Sequence, residues 1–258
     1  MWRNEDDDED DDDSDPENCF TMFQRIEFKR AELDVKIIKE DNDQDARYEL
    51  FKRINTGGNS LSEQEVKNFL LVMINRGFFL RFFKKLASFP PFLQCIASFP
   101  DSVFKEQYEL ELVSRFLVFR NSDTEEIRKS PALSDFVTNK MTAFARSDDF
   151  DAEKEREIFE RTFSLLVAIM KDDAFRKFDK YGNSFSGGFS MAAYDVIATG
   201  IGANIDRWED ADAEPVKTKI RSLWGNRQFT SWEKSEDDRE RILHLLPLTE
   251  EWFGREED

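Results

Sequence analysis

From about residue 43 onward, apolar residues recur three and four positions apart, and the chain reads as one helix after another. The periodicity predicts helices over roughly 43–54, 62–75, 78–88, 105–120, 134–146, 151–170, 190–202, 214–225 and 236–246. The clearest is 151–170, where Ile158, Phe159, Phe163, Leu166 and Ile169 form a single stripe. In 78–88, Phe79, Phe82, Phe83 and Leu86 share a core face, while Arg81, Lys84 and Lys85 fall on the wet side. Ahead of the helices, residues 28–40 alternate apolar and polar at Leu33, Val35 and Ile37, the period of a half-buried strand. Pro90-Pro91 and Pro100 bound short segments, because proline disfavours helix in the residue before it. Composition alone makes 181–188 a loop. The pattern is that of a mainly α protein.

One joint between helices carries candidate chemistry, Tyr48-Glu-Leu-Phe-Lys-Arg-Ile-Asn-Thr-Gly-Gly-Asn-Ser-Leu-Ser-Glu-Gln-Glu-Val-Lys-Asn68. Leu50, Phe51 and Ile54 lie on one side of a helix that breaks at Gly57-Gly58, where backbone of positive φ is open to glycine. The chain restarts at Ser62, whose spacing from Glu65 is that of a capping box. Arg53, Asn55 and Thr56 stand at the mouth of this turn, beside a helix N-terminus with unpaired N–H groups, a setting that suits an anion such as phosphate. A well-capped helix–loop–helix joint with no ligand accounts for the same residues.

The segment closely resembles the F-x-R-[IL]-N-T-G-G-x-x-L-S-x-x-E signature of the family that supplies the N-terminal half of GmrSD-type, modification-dependent restriction enzymes and related phage-defence proteins. Further likenesses follow in order. Tyr108-Glu-Leu-Glu-Leu-Val-Ser-Arg-Phe-Leu117 resembles the family's acidic–apolar helix running into an Arg-Phe pair. Ile158-Phe-Glu-Arg-Thr-Phe163 and Ala174-Phe-Arg-Lys-Phe178 resemble its following helices, and Ser190-Met-Ala-Ala-Tyr-Asp-Val-Ile197 its closing helix. Upstream, Phe28-Lys-Arg-Ala-Glu-Leu-Asp-Val-Lys-Ile-Ile38 resembles the strand before the signature, so the likeness spans about residues 19 to 205.

The resemblance implies a fold, a division of the chain and a role. The family's nucleotide-handling domain is ParB/sulfiredoxin-like and carries an Asp-Gly-Gln-Gln-Arg motif, which is absent from these 258 residues. Of its motif set, the Phe-x-x-x-Asn element remains, as Phe51 and Asn55. The expected organisation is an acidic, disordered tail at 1–18, a partial ParB/sulfiredoxin-like segment at 19–75, a helical domain at 76–205 and a Trp-rich helical extension at 206–258. By the resemblance, Phe51, Arg53, Asn55, Thr56, Gly57 and Gly58 would touch a nucleotide, with Glu65 and Asn68 bracing the turn from the second helix. A nucleoside triphosphate with Mg would enter only with a partner chain supplying the missing half. The expected role is a partial or accessory protein of an NTP-dependent defence system, without catalysis of its own. Two alternatives stand beside it: a split NTP hydrolase or DNA nickase completed by that partner, and a truncated product serving only as a helical interaction module.

Composition adjusts this picture. Ten acids against Arg3 in residues 1–15 give −9 of the chain's net −18. Such a block of like charge repels itself, and could mimic nucleic-acid phosphates, dock on a basic partner or be a solvated extension. The acidity weighs against duplex binding by the chain alone, since phosphate contacts need clustered Lys and Arg. Twenty-six Phe against 4 Tyr and 5 Trp point to a dry aromatic core, with Trp208, Trp224, Trp232 and Trp252 read as core residues. No run approaches the roughly 20 apolar residues that span a bilayer, and the chain reads as soluble and cytoplasmic. Cys19 and Cys95 are too few for a zinc site and read as buried free thiols. His244, the one histidine, sits among leucines and reads as a partly buried, satisfied side chain.

Overall fold

The computed structural model describes residues 20–32, 62–99 and 105–254. The chain divides into two compact units, Met1–Asp43 and Gln44–Asp258. In the first, the described part is one helix, α1 (Met22–Arg30), capped by Thr21 and exposed along its whole length. The strand expected over 28–40 therefore does not begin at Phe28: Phe28, Lys29 and Arg30 close a helix whose last turn carries two cations, which suit its C-terminal dipole. Leu33, Val35 and Ile37 lie outside the described residues.

The described part of the second unit is helical almost throughout. Helix α2 (Glu63–Ile74) starts at Ser62 and ends at Asn75. Asn75 then joins it to the next segment: its Oδ1 accepts from Phe78 N at 2.9 Å and its Nδ2 donates to the Ala145 carbonyl at 3.1 Å. A π-helical stretch, Phe78–Phe83, runs straight into α3 (Lys84–Ala87). The wider π turn buries Phe78 as well as the expected Phe79, Phe82, Phe83 and Leu86, and leaves Arg81 and Lys85 exposed. Prolines at the first turn open α4 (Pro90–Cys95), where the missing N–H costs nothing.

Helices α5 (Lys105–Arg120), α6 (Thr124–Arg128), α7 (Leu133–Arg146) and α8 (Ala152–Met170) follow, the last with Asp151 as its N-cap. In α8, Phe159, Phe163 and Leu166 are fully buried, while Ile158 and Ile169 pack at the margin of the core. The aromatic core centres here. The Phe163 ring lies 4.9 Å from that of Phe92 and 5.7 Å from that of Phe116, and Phe116 meets Phe159 edge-on at 5.2 Å. Each such fully buried ring contributes roughly 1.5–3 kcal/mol of transfer free energy.

A hairpin interrupts the helices. Strands β1 (Arg176–Asp179) and β2 (Ser184–Phe189) pair antiparallel, the one sheet among the described residues. This corrects two expectations, a helix across 174–178 and a loop across 181–188. The Gly and Ser of 182–188 do supply turn chemistry, with Asn183 at φ 48° and Gly187 at φ 76° where the register slips between Arg176 and Lys177. Between those breaks, the Phe185 ring packs across the strands against that of Phe178, tilted, with centres 5.1 Å apart. Pairing that could not be seen locally thus converts a loop composition into a strand.

Helix α9 (Met191–Ala203) is buried from Ala192 to Gly202. The remaining chain forms α10 (Ile205–Trp208), α11 (Ala213–Leu223), α12 (Arg227–Trp232), α13 (Asp238–Leu245) and α14 (Pro247–Phe253). This Trp-rich portion joins the main core through Trp208, Phe229, Ile242 and Phe253, and two of its tryptophans bond within it. Trp208 Nε1 donates to the Phe253 carbonyl at 2.9 Å, and Trp252 Nε1 to the Lys219 carbonyl at 3.1 Å. No helix among the described residues is long and apolar enough to cross a membrane.

Candidate functional site

Helix α2 begins as the sequence requires. Ser62 Oγ accepts from Glu65 N at 3.2 Å, and Glu65 Oε2 accepts from Ser62 N at 2.8 Å. Glu65 therefore closes the capping box that its spacing from Ser62 predicts. Asn68 lies one turn further on: its Oδ1 accepts from Gln64 Nε2 at 2.8 Å, and Gln64 Oε1 accepts from Lys67 Nζ at 3.0 Å. Gln64 and Lys67 are both buried, so this ladder runs along the inner face of α2. Phe51, Arg53, Asn55, Thr56, Gly57 and Gly58 lie outside the described residues.

The inner face of α2 forms one wall of a cleft of about 540 Å³. Gln64 and Lys67 line it from α2, and Glu111 and Arg115 from α5. Residues 131–134 and Val137 close the side of α7, and 236–239, ahead of and into α13, close the fourth. Arg239 ties two walls together, donating to the Ser130 carbonyl at 3.0 Å and the Arg128 carbonyl at 2.9 Å. Asp237 is the N-cap of α13 and accepts from Glu240 N at 2.9 Å.

Arg115 sits at the base. Its Nε and Nη2 donate to the two carboxylate oxygens of Asp195, on α9, at 2.7 and 2.5 Å. Its Nη1 is 3.9 Å from Glu111, and its guanidinium carbon lies 5.0 Å from the Phe119 ring centre. Burial by itself would ease the proton off Arg115, but the charge and hydrogen bonds of Asp195 outweigh it and raise the pKa above the ordinary arginine value. Beside Asp195, Tyr194 is fully enclosed and donates to the Leu112 carbonyl at 2.8 Å. Burial, reinforced by the neighbouring Asp195 charge, pushes its phenol well above the usual range.

The cleft therefore mixes signs. Lys67, Arg115 and Arg239 face Glu111, Glu236, Asp237 and Asp238, with Asp195 beneath. Such a surface matches a polypeptide carrying both charges better than a run of phosphates, which needs an excess of cations.

Sequence reasoning missed Gln64, Lys67, Arg115, Asp195 and Arg239. Two of them were visible. Arg115 interrupts the apolar run Leu112 to Phe119, and Asp195 interrupts the run from Met191 to Ile201. A lone charge inside an apolar stretch needs an opposite charge brought to it by the fold. Nothing in the order of residues, however, says which charge that is.

His244 is exposed rather than partly buried, because α13 turns Leu245 and Ile242 to the core and leaves position 244 outside. Its ring stacks on Trp232 with centres 3.7 Å apart. Cys95 is a buried free thiol as expected, and Cys19 lies outside the described residues. Comparison with protein-family models, with curated proteins and with solved structures gave no match.

Proposed function

We propose that this chain is a helical accessory component of a GmrSD-type, NTP-dependent defence system, that it has no catalytic activity of its own, and that its cleft receives a polypeptide segment of its partner. One observation carries the reading. Three segments whose sequences resemble that family meet at a single place: the signature's second helix supplies Gln64 and Lys67, the acidic–apolar helix supplies Glu111 and Arg115, and the closing helix supplies Asp195. The mixed charge of the cleft supports a protein occupant over DNA. In this reading the Asp-Gly-Gln-Gln-Arg motif and the hydrolytic chemistry reside on the partner, and Phe51, Arg53, Asn55, Thr56, Gly57 and Gly58 contribute to nucleotide binding.

The test is co-purification with a chain carrying that motif, followed by an NTP hydrolysis assay. The pair is expected to associate, and Ser134→Trp, which fills the cleft, is expected to abolish association. Hydrolysis by the mixture that is lost with Asn55→Ala would turn the accessory role into that of a split enzyme. Turnover by the purified chain alone, or association indifferent to Ser134→Trp, would overturn the proposal.

A further inference from the structure

A second cavity, of about 290 Å³, opens between the end of α5, the start of α6, the C-terminal part of α9 and the start of α14. Its apolar wall includes Phe119, Ala203 and Leu246, and its polar wall includes Arg120, Ser122 and Thr199. Each of these three polar residues holds a buried side-chain atom with no hydrogen-bond partner: Arg120 Nε, Ser122 Oγ and Thr199 Oγ1. A buried polar group left in this state has given up its hydrogen bonds to water without replacement, so three around one cavity call for an explanation.

Thr199 makes the case most clearly. Three other helical threonines bond back to the carbonyl four residues earlier: Thr138 to Ser134 at 2.8 Å, Thr162 to Ile158 at 2.7 Å and Thr230 to Asn226 at 2.8 Å. Thr199 is 2 % exposed and makes no such bond. Its hydroxyl is uncommitted, and a helical threonine has a second rotamer open to it. Two of the other polar side chains lining the cavity are already engaged. Thr249 donates to the Leu246 carbonyl at 2.7 Å, and Asp123 caps α6.

Charge narrows the ligand. Arg120 is paired with Glu155, whose second oxygen is also buried and unpartnered. The exposed acids Asp123 and Glu250 lie among the lining residues, so a phosphate would be repelled. A bare cation would meet the Arg120 guanidinium. What remains is a neutral molecule with an acceptor for Arg120 Nε–H and a donor or acceptor for the two hydroxyls.

We propose that this cavity is a binding site for a small uncharged molecule presenting an amide-type edge, a hydrogen-bond acceptor beside an N–H donor, of the kind found on nucleobases and simple carboxamides. The site is separate from the cleft at Arg115 and does not depend on its reading.

The full chain is titrated by calorimetry and by thermal melting with uracil, adenine and propionamide as separate probes, and with inorganic phosphate as control. At least one of the three is expected to bind saturably and raise the melting temperature, the pyrimidine, purine and simple-amide arms separating the possible sources. Thr199→Val keeps the side-chain shape and removes the hydroxyl; it is expected to weaken binding about five- to tenfold, the worth of one neutral hydrogen bond. Ser122→Ala should act similarly, and it decides the matter if the Thr199 variant does not fold. Neither change should lower the melting temperature of the ligand-free chain. Failure of all three probes, meaning that ordered water alone serves these groups, would overturn the proposal. So would phosphate binding more tightly than the neutral probes, or probe affinity unchanged in both variants.

Discussion

Arg115 and Asp195 stand eighty positions apart in the sequence and meet in a buried two-pronged ion pair that joins α5 to α9 beneath the larger cleft. Asp195 is 1 % exposed and Arg115 3 %. Two charges taken this far from water are tolerable only together, because neither has solvent to fall back on.

Removing one partner should therefore be severe. Asp195→Ala is expected to destabilise the protein by about 3–5 kcal/mol, measured by urea unfolding, since Arg115 would stay buried and uncompensated. The double variant Arg115→Met with Asp195→Leu should recover most of that loss. A single variant within about 0.5 kcal/mol of the parent, the range of ordinary surface changes, would show that the pair is not buried in solution.

Close packing of α9 on α14 depends on Gly200. A Cβ there would come within 2.6 Å of Phe253 Cδ2 and 2.9 Å of the Thr249 carbonyl oxygen. The ring could shift, but the backbone oxygen cannot easily retreat. Gly200→Ala should destabilise by about 1–3 kcal/mol through overpacking, exceeding the gain of up to about 1 kcal/mol from better helix propensity. A rise in melting temperature would mean that α14 does not dock there.

The capping box at the start of α2 should be worth about 1 kcal/mol, so Ser62→Ala ought to lower stability by that amount. The effect should also be local: hydrogen exchange at the Glu65 amide, which the Ser62 hydroxyl holds, is expected to speed up more than exchange at Leu71. Equal protection at both sites would contradict the cap.

Alkaline pH should unfold the protein in a defined window. Burial pushes the Cys95 thiol from 9.0 up to about 12, and the Tyr194 phenol is raised well above 10.0. Both groups hold their protons more tightly folded than unfolded. Their contribution is complete below the unfolded-state values and is lost as pH rises through the folded-state values. Stability is therefore expected to fall steadily between about pH 9 and 12. Cys95→Ala should flatten the lower part of that fall, measured by urea unfolding at a series of pH values. A slope unchanged in this variant would show that Cys95 is not the titrating group.

The sequence by itself determined the elements. Helix periodicity located α2, α5, α7, α8, α11 and α13 because each buries one face of side chains, and an unbroken apolar run located α9, which is buried all round; both are properties of neighbouring residues alone. The Ser62–Glu65 cap was legible for the same reason, both partners lying within one turn. The short helices α4, α6, α10, α12 and α14 escaped notice, being too brief for a period to repeat. The hairpin escaped because Phe185 is strand-like only once Phe178 lies across from it. The cleft at Arg115 was settled at the level of tertiary structure. Its walls come from four places in the chain, and the charge that holds Arg115 is chosen by how α5 crosses α9. Local sequence fixes which way a side chain points from its own helix; the partner it finds there is set by the packing of elements far apart in the chain.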